Sequence, residues 1–214
     1  MLQREFYLRP ANCVAPELLG KLLVHHTKDG ILSGMIVEVE SYVGPIDKGA
    51  HSYGNKRTAR TEIQFGLGGY AYIYAIYGMH FCFNVVTNGI NHPEVVLVRA
   101  LQPHDGISLM KSNRNIGDPV QLCNGPGKLC AALSISKANY GEDLCGQSLY
   151  LENYRQITQS DICISPRVNI DYAEECKDYL WRYYIKNNKF VSKVAPRYRS
   201  SLTLDQLYAS SSVI

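Results

Sequence analysis

The feature that most constrains this chain is residues 31–45, an apolar run interrupted by two glutamates and closed by glycine and proline. Val37 and Val39 alternate with Ile36, Glu38, Glu40 and Tyr42, which is the two-residue period of a strand. Residues two apart on a strand share a face. Glu38, Glu40 and Tyr42 are therefore expected to project together, and Gly44-Pro45 to end the strand in a turn. Two carboxylates and a phenol on one face of an apolar strand are costly to bury without a compensating purpose. His51 follows six residues past the turn. A carboxylate, an aromatic ring and a histidine placed this closely are candidates for acid–base work on a flat ring.

The 214 residues are 46% hydrophobic and 19% charged, which suits one packed core. The expected organisation is a single domain over 1–200 and a frayed tail over 201–214, where Ser210-Ser-Ser offers nothing to bury. No apolar run approaches the ~20 residues of a membrane span, and the N-terminus lacks a signal-peptide core. The chain reads as intracellular, cytoplasmic or at the nucleoid of a prokaryote. Its seven cysteines are odd in number and hold no Cys-x-x-Cys pair. That argues against a disulfide framework or a four-ligand zinc site and for small buried hydrophobes.

The net charge of +3 permits an anionic partner without demanding one. Two acid-free clusters stand out: Lys56, Arg57 and Arg60, and then Arg182, Lys186, Lys189, Lys193, Arg197 and Arg199. Each is either a solvated face or a phosphate-binding surface.

Period and turn signals predict helices over 15–19, 61–65, 106–112, 128–133 and 173–181. Strands are expected over 21–25, 31–42, 71–76, 81–87, 95–101, 149–151, 160–165 and 181–185. The strands cluster and most are hairpin-linked, which favours an α+β fold: one mixed domain with a mainly antiparallel curved sheet, a protruding hairpin and surrounding helices. Residues 70–84 are rich in tyrosine. Alternation puts Tyr70, Tyr72 and Tyr74 on one face, opposite Ile73. Tyr77 breaks that phase and falls at the turn with Gly78 and Met79. The tyrosines fit core filler; a large aromatic at a hairpin tip fits a binding edge. Aromatic platforms serve base stacking, and projecting wedges open duplexes.

These residues together resemble a known family. Ile36-Val-Glu-Val-Glu40-Ser-Tyr42-Val-Gly-Pro45, with Asp47, Ala50, His51 and Ser52, is similar to the catalytic strand and loop of the alkyladenine (3-methyladenine) DNA glycosylases. Tyr74-Ala-Ile-Tyr77-Gly-Met-His-Phe-Cys82-Phe-Asn84 resembles that family's wedge hairpin. Val96-Leu-Val-Arg99, Asn124-Gly-Pro-Gly-Lys-Leu129 and Ser165-Pro-Arg-Val168 resemble its later motifs, in family order.

The resemblance implies a monofunctional DNA glycosylase that flips alkylated purines, with deaminated purines as an open extension, out of duplex DNA. A water then hydrolyses the N-glycosidic bond without strand cleavage. Glu40 would be the general base and Arg99 would help hold the water. Tyr42, His51, Tyr74 and Asn84 would form the base pocket, and Tyr77 with Met79 would enter the duplex. Lys56, Thr58 and Arg60 would meet phosphates. No metal or organic cofactor is implied, nor a membrane; a monomer is expected. Ala59, His80 and Asn169 depart from common family residues, and residues 88–93 lengthen a turn. Two readings stay open beside this one: a non-catalytic nucleic-acid-binding module and a hydrolase of free nucleosides. Glu38 reads as an ion-pair partner or as a second carboxylate that raises a neighbour's pKa.

Overall fold

The computed structural model describes residues 1–200 and 202–211. Two short helices open the chain, α1 (Arg4–Tyr7) and α2 (Ala11–Leu18). Strands β1 (Leu22–Thr27) and β2 (Gly30–Tyr42) follow. A loop with 3-10 turns leads to the hairpin β3 (Ala71–Ile76) and β4 (His80–Thr87), and then to β5 (Glu94–Pro103). Helices α3 (Ile107–Arg114), α4 (Pro119–Leu122) and α5 (Pro126–Ala132) form one group. Strands β6 (Leu149–Glu152), β7 (Ile162–Ser165) and β8 (Arg182–Ile185) precede α6 (Leu204–Ser211). Among the described residues no helix is long and apolar enough to cross a membrane.

The sheet runs β3-β4-β5-β2-β1-β6 with antiparallel pairs, and it branches where β8 joins β2 and carries β7. The α+β expectation holds. β2 is the hub. Its first half pairs with β1, Glu38–Glu40 pairs with β8, and β5 lies along its other edge.

The simple alternation expected along β2 is broken by paired bulges. Ile36 pairs with Leu101, Glu38 with Ala100 and Val39 with Val98, so Val37 and then Arg99 are each an extra residue. The phase of both strands resets there. Leu32 and Ile36 before the bulge and Val39 after it face the main core, as do Val96, Val98 and Leu101 of β5. Val37 and Ala100 face a second cluster with Leu22, Val24 and Met35. Ile36 therefore does not share a face with Glu38, contrary to the sequence reading. A strict period of two would have driven both glutamates into the aliphatic core beside Ile36.

The tyrosine alternation holds. Tyr72 packs in a separate cluster with Val86, Val95 and partly buried Tyr70 and Tyr74, while Ile73 faces the main core. Gly44 ends β2 at φ 47, and a side chain there would stand 2.7 Å from the Pro93 carbonyl, so residues 88–93 pack against that turn. The stretch expected as a helix over 173–181 is a 3-10 turn, Glu174–Asp178. The tail is not frayed throughout: α6 forms, and Leu204 is buried in the main core. An amphipathic Leu-x-x-Leu pair hidden in a polar segment supplies that anchor; residues 201 and 212–214 lie outside the described residues. The cysteines are free, and most are buried, but Cys13 is exposed.

A buried ion pair ties the loop after β2 to the stretch after β7. Arg167 donates through Nη2 to Asp47 Oδ1 at 2.8 Å and through Nη1 to Oδ2. The same guanidinium donates to the carbonyls of Ser41 and Cys176 and lies between the rings of Tyr42 and Trp181. Replacing Asp47 leaves a buried guanidinium without its counter-charge. Asp47→Asn is therefore expected to lower unfolding free energy by about 3–5 kcal/mol, read from urea denaturation.

Candidate active site

The bulge turns Glu38 and Glu40 toward Arg99. Both glutamate side chains are fully buried. Arg99 donates from Nε to Glu38 Oε1 at 3.0 Å and from Nη1 to Glu40 Oε2 at 3.3 Å. Burial works against the charged Arg99, yet Glu40 and Glu38 together hold its pKa above the ordinary arginine value. Glu40 Oε2 also accepts from the Tyr42 hydroxyl at 2.9 Å, and Oε1 from the Val168 backbone N–H at 2.7 Å. Burial first, and the Glu40 charge second, push the Tyr42 phenol well above its ordinary pKa. Tyr42 thus keeps its proton and remains a donor.

Glu38 is saturated. Its Oε1 accepts from Arg99, from Arg182 Nε at 2.7 Å and from Ser192 Oγ at 2.8 Å; its Oε2 accepts from the Ser192 N–H at 2.7 Å. Burial pushes its pKa up, but the charges of Arg99 and Arg182 and the Ser192 N–H outweigh that and hold it below the usual carboxylate value. Of the two readings kept for Glu38, the ion-pair partner is the one the geometry bears out.

Beside Glu40, which is itself fully buried and not part of the wall, lies a cavity of ≈ 630 Å³. Tyr42, Arg99 and Val168, the three donors to Glu40, all line it, with His51, Tyr74 and Asn84 on other walls. His51 stands edge-on to Tyr74, ring centroids 4.7 Å apart. Its Nδ1 lies 2.8 Å from Tyr72 Oη, and its Nε2 lies 3.2 Å from Arg60 Nη2. A guanidinium only donates, so Nε2 accepts and the imidazole is neutral with its proton on Nδ1. Asn84 donates from Nδ2 to the carbonyls of Tyr72 at 3.0 Å and Cys82 at 3.4 Å, which fixes its amide against the floor.

Tyr77 and Met79 project from the β3–β4 loop, 85% and 74% exposed. Tyr77 has φ 54 and Gly78 φ 71; a tyrosine in the left-handed region is uncommon. Lys56 and Thr58 are exposed on the loop after His51. Arg60 is exposed too and also reaches the cavity wall, its guanidinium 4.9 Å from the Tyr74 ring centre. In the first basic cluster Arg57 pairs with Glu62. In the second, Arg182 is consumed by Glu38 and Arg197 pairs with Asp171.

Sequence reasoning missed several partners. Alternation places Tyr72 on a face with Tyr70 and Tyr74 but does not mark it as the anchor of His51. The Val168 N–H carries no side-chain signal at all. Asn169, the departure from a common glycine, has φ 60, a conformation that asparagine tolerates better than most residues.

The methylpurine-DNA glycosylase family description matches residues 5–189, so Ser192 lies beyond the matched span. A curated relative from Desulfitobacterium hafniense is 50% identical over 199 residues, covering 89% of this chain and 98% of the relative. One from Alkaliphilus oremlandii is 49% identical over 203 residues, covering 90% and 98%. One from Clostridium acetobutylicum is 50% identical over 199 residues, covering 89% and 97%. All three carry the provisional name 3-methyladenine DNA glycosylase.

Burial first, then the charge of Arg60, lowers the His51 pKa from 6.5 to about 4. Because the folded-state value lies below the unfolded one, the unfolded chain takes up this proton first as pH falls. The stability contributed by neutral His51 is therefore complete above pH 6.5 and lost as the pH drops toward about 4. Side-chain ¹⁵N spectra at a pH of about 5.5, below the ordinary histidine pKa, are expected to show His51 still neutral and protonated on Nδ1.

Proposed function

The chain belongs to the methylpurine-DNA glycosylase family, and on that premise we propose that it excises alkylated purines, 3-methyladenine above all, from duplex DNA by hydrolysis with a Glu40-activated water. The observation that carries this reading is the state of Glu40. An ionised carboxylate offers about four acceptor sites, and three are taken by Tyr42, Arg99 and Val168. About one remains for an internal water, and the three donors are themselves cavity wall.

In this reading the nucleotide is rotated out of the stack and its base enters between Tyr42, His51 and Tyr74. The bond from C1′ to the base nitrogen breaks and the base keeps the electron pair. A 3-methylated adenine is cationic in DNA, so it leaves neutral and needs little acid help. Water adds to C1′ and its proton passes to Glu40, whose charge also stabilises the oxocarbenium-like sugar. Cationic bases gain on the order of 0.5–2 kcal/mol on aromatic faces, which favours damaged over neutral purines. Asn84, with its amide fixed at the floor, disfavours the exocyclic amine of guanine. Tyr77 and Met79 fill the vacated space in the duplex, while Lys56, Thr58 and Arg60 face the backbone.

The nucleophile in this reading is water, so the product is an abasic site in an intact strand. Strand cleavage through a Schiff base would need an amine nucleophile. Among the described residues lining the cavity there is no lysine. Hypoxanthine, the deaminated purine, would be a neutral substrate that lacks the cation's stacking gain, and its release is the open extension of this reading.

Base release from a duplex oligonucleotide containing 3-methyladenine or hypoxanthine tests the proposal. Wild type is expected to release the base without strand scission, and Glu40→Gln to lose about 10²- to 10⁴-fold in single-turnover rate. Binding without release would reveal a binding module, and cleavage of free nucleosides alone would reveal a nucleoside hydrolase. Tyr77→Ala is expected to weaken lesion-specific binding more than Lys56→Ala does. Lys56→Ala should instead flatten the salt dependence of binding by about one unit of slope; equal losses on lesion and undamaged duplex in both variants would sink the wedge role.

A further inference from the structure

We propose that Glu38 is a positioning residue for Arg99, and that Ser192, in the segment after β8, holds Glu38 to that task. The proposal rests on the role given above to Glu40 and Arg99. It extends the working site to a part of the chain that never reaches the cavity and lies beyond the span matched by the family.

Glu38 cannot itself serve as a base. Three of its four hydrogen bonds come from Arg182 and Ser192, which do not line the cavity, whereas all three donors to Glu40 do. What it does is orient a guanidinium. Arginine's fork is planar and rigid. Its Nε bond to Glu38 at 3.0 Å sets the plane, and Nη1 is then aimed at Glu40, 3.3 Å away. Without Glu38 the guanidinium is free to slide onto Glu40 as a closer pair, occupying the acceptor site that the water needs.

Glu38 is in turn fixed from two directions. Arg182 donates to Glu38 while its Nη1 is held by Ser165 Oγ at 2.9 Å and the Tyr198 carbonyl at 2.7 Å, so its charge stays on Glu38. Ser192 supplies both its N–H and its hydroxyl. Its placement is firm, because Phe190 and Val191 just before it pack on the cluster of Leu22, Val24, Met35, Val37 and Ala100. Tyr198 beyond it is buried. None of residues 190–200 lines the cavity. This strap touches Glu38, Glu38 touches Arg99, and Arg99 touches Glu40.

The test is single-turnover base release from a 3-methyladenine duplex, measured with the dissociation constant of the same duplex, for wild type, Ser192→Ala, Arg99→Lys and the double variant. Ser192→Ala removes one donor of four and keeps the backbone N–H, so the fold is retained. It is expected to slow base release by about three- to tenfold, the worth of one hydrogen bond. Binding should stay within about twofold of wild type. On the Arg99→Lys background the same change should cost little more, since the group it orients has lost its fork. Glu38→Gln should show the same separation of rate from binding, with a larger loss. A Ser192→Ala protein that melts lower but releases base at the wild-type rate overturns the proposal. So does a loss as large on the Arg99→Lys background as on the wild type. A wild-type protein that releases no base overturns the underlying reading as well; an active wild type with an unaffected Ser192→Ala overturns this proposal alone.

Discussion

Arg99 places one positive charge between the buried carboxylates of Glu38 and Glu40, and much of the architecture follows from that. Two carboxylates behind a sheet would be prohibitive alone, since each buried ion costs several kcal/mol before pairing. One guanidinium cannot balance two carboxylates, so a second is required. β8 brings it: Arg182 stands in register with Glu40 on the branch of the sheet and turns its Nε to Glu38. The branch, the paired bulges and the strap that ends in Ser192 are thus parts of one electrostatic solution. Their charges sum to zero, and Ser192, Tyr42 and Val168 donate to the remaining lone pairs.

A second buried pair, Arg167 with Asp47, does for the loop what Arg99 does for the strand. It crosses from the stretch after β7 to the turn after β2 and lies under Tyr42. Ser165, Arg167 and Val168 therefore act on three different targets: Arg182, Asp47 and Glu40. A four-residue stretch that braces an ion pair, a loop and a carboxylate at once has little freedom to vary. The hairpin tip is the opposite case. Tyr77 and Met79 are mostly exposed, so packing within the chain sets few demands on the tip.

The legible part of this molecule was the part written in local pattern. Turn dipeptides, hairpin spacing and the tyrosine alternation gave the strands and the separate face of Tyr72. The reading failed where long-range contacts override the local period. The phase reset between Ile36 and Val39 arises because β5 carries its own extra residue, Arg99, which no window around residue 38 contains. Arg182 looked like one more surface charge in an acid-free stretch, because its acid lies far away at Glu38. The loop position of Arg60 carries no hint that its guanidinium also lies against His51 and Tyr74. The backbone N–H groups of Val168 and Ser192 leave no trace in residue identity. The anchor of α6 was hidden because two leucines, Leu204 and Leu207, in a short polar segment are too weak a signal for composition to register.

The cavity walls add a last constraint. His51 is kept neutral by burial first and by the Arg60 charge second, and the phenols of Tyr42 and Tyr74 are kept protonated by burial. The aromatic rings of the wall are therefore uncharged, and such rings attract a cation through their quadrupoles, although Arg60 and Arg99 line the same cavity. Arg60 already lies over the Tyr74 ring, so in the proposed function a cationic base stacked on Tyr74 would share that ring with a guanidinium, and the phenols and the neutral imidazole would have to offset the repulsion between the two cations.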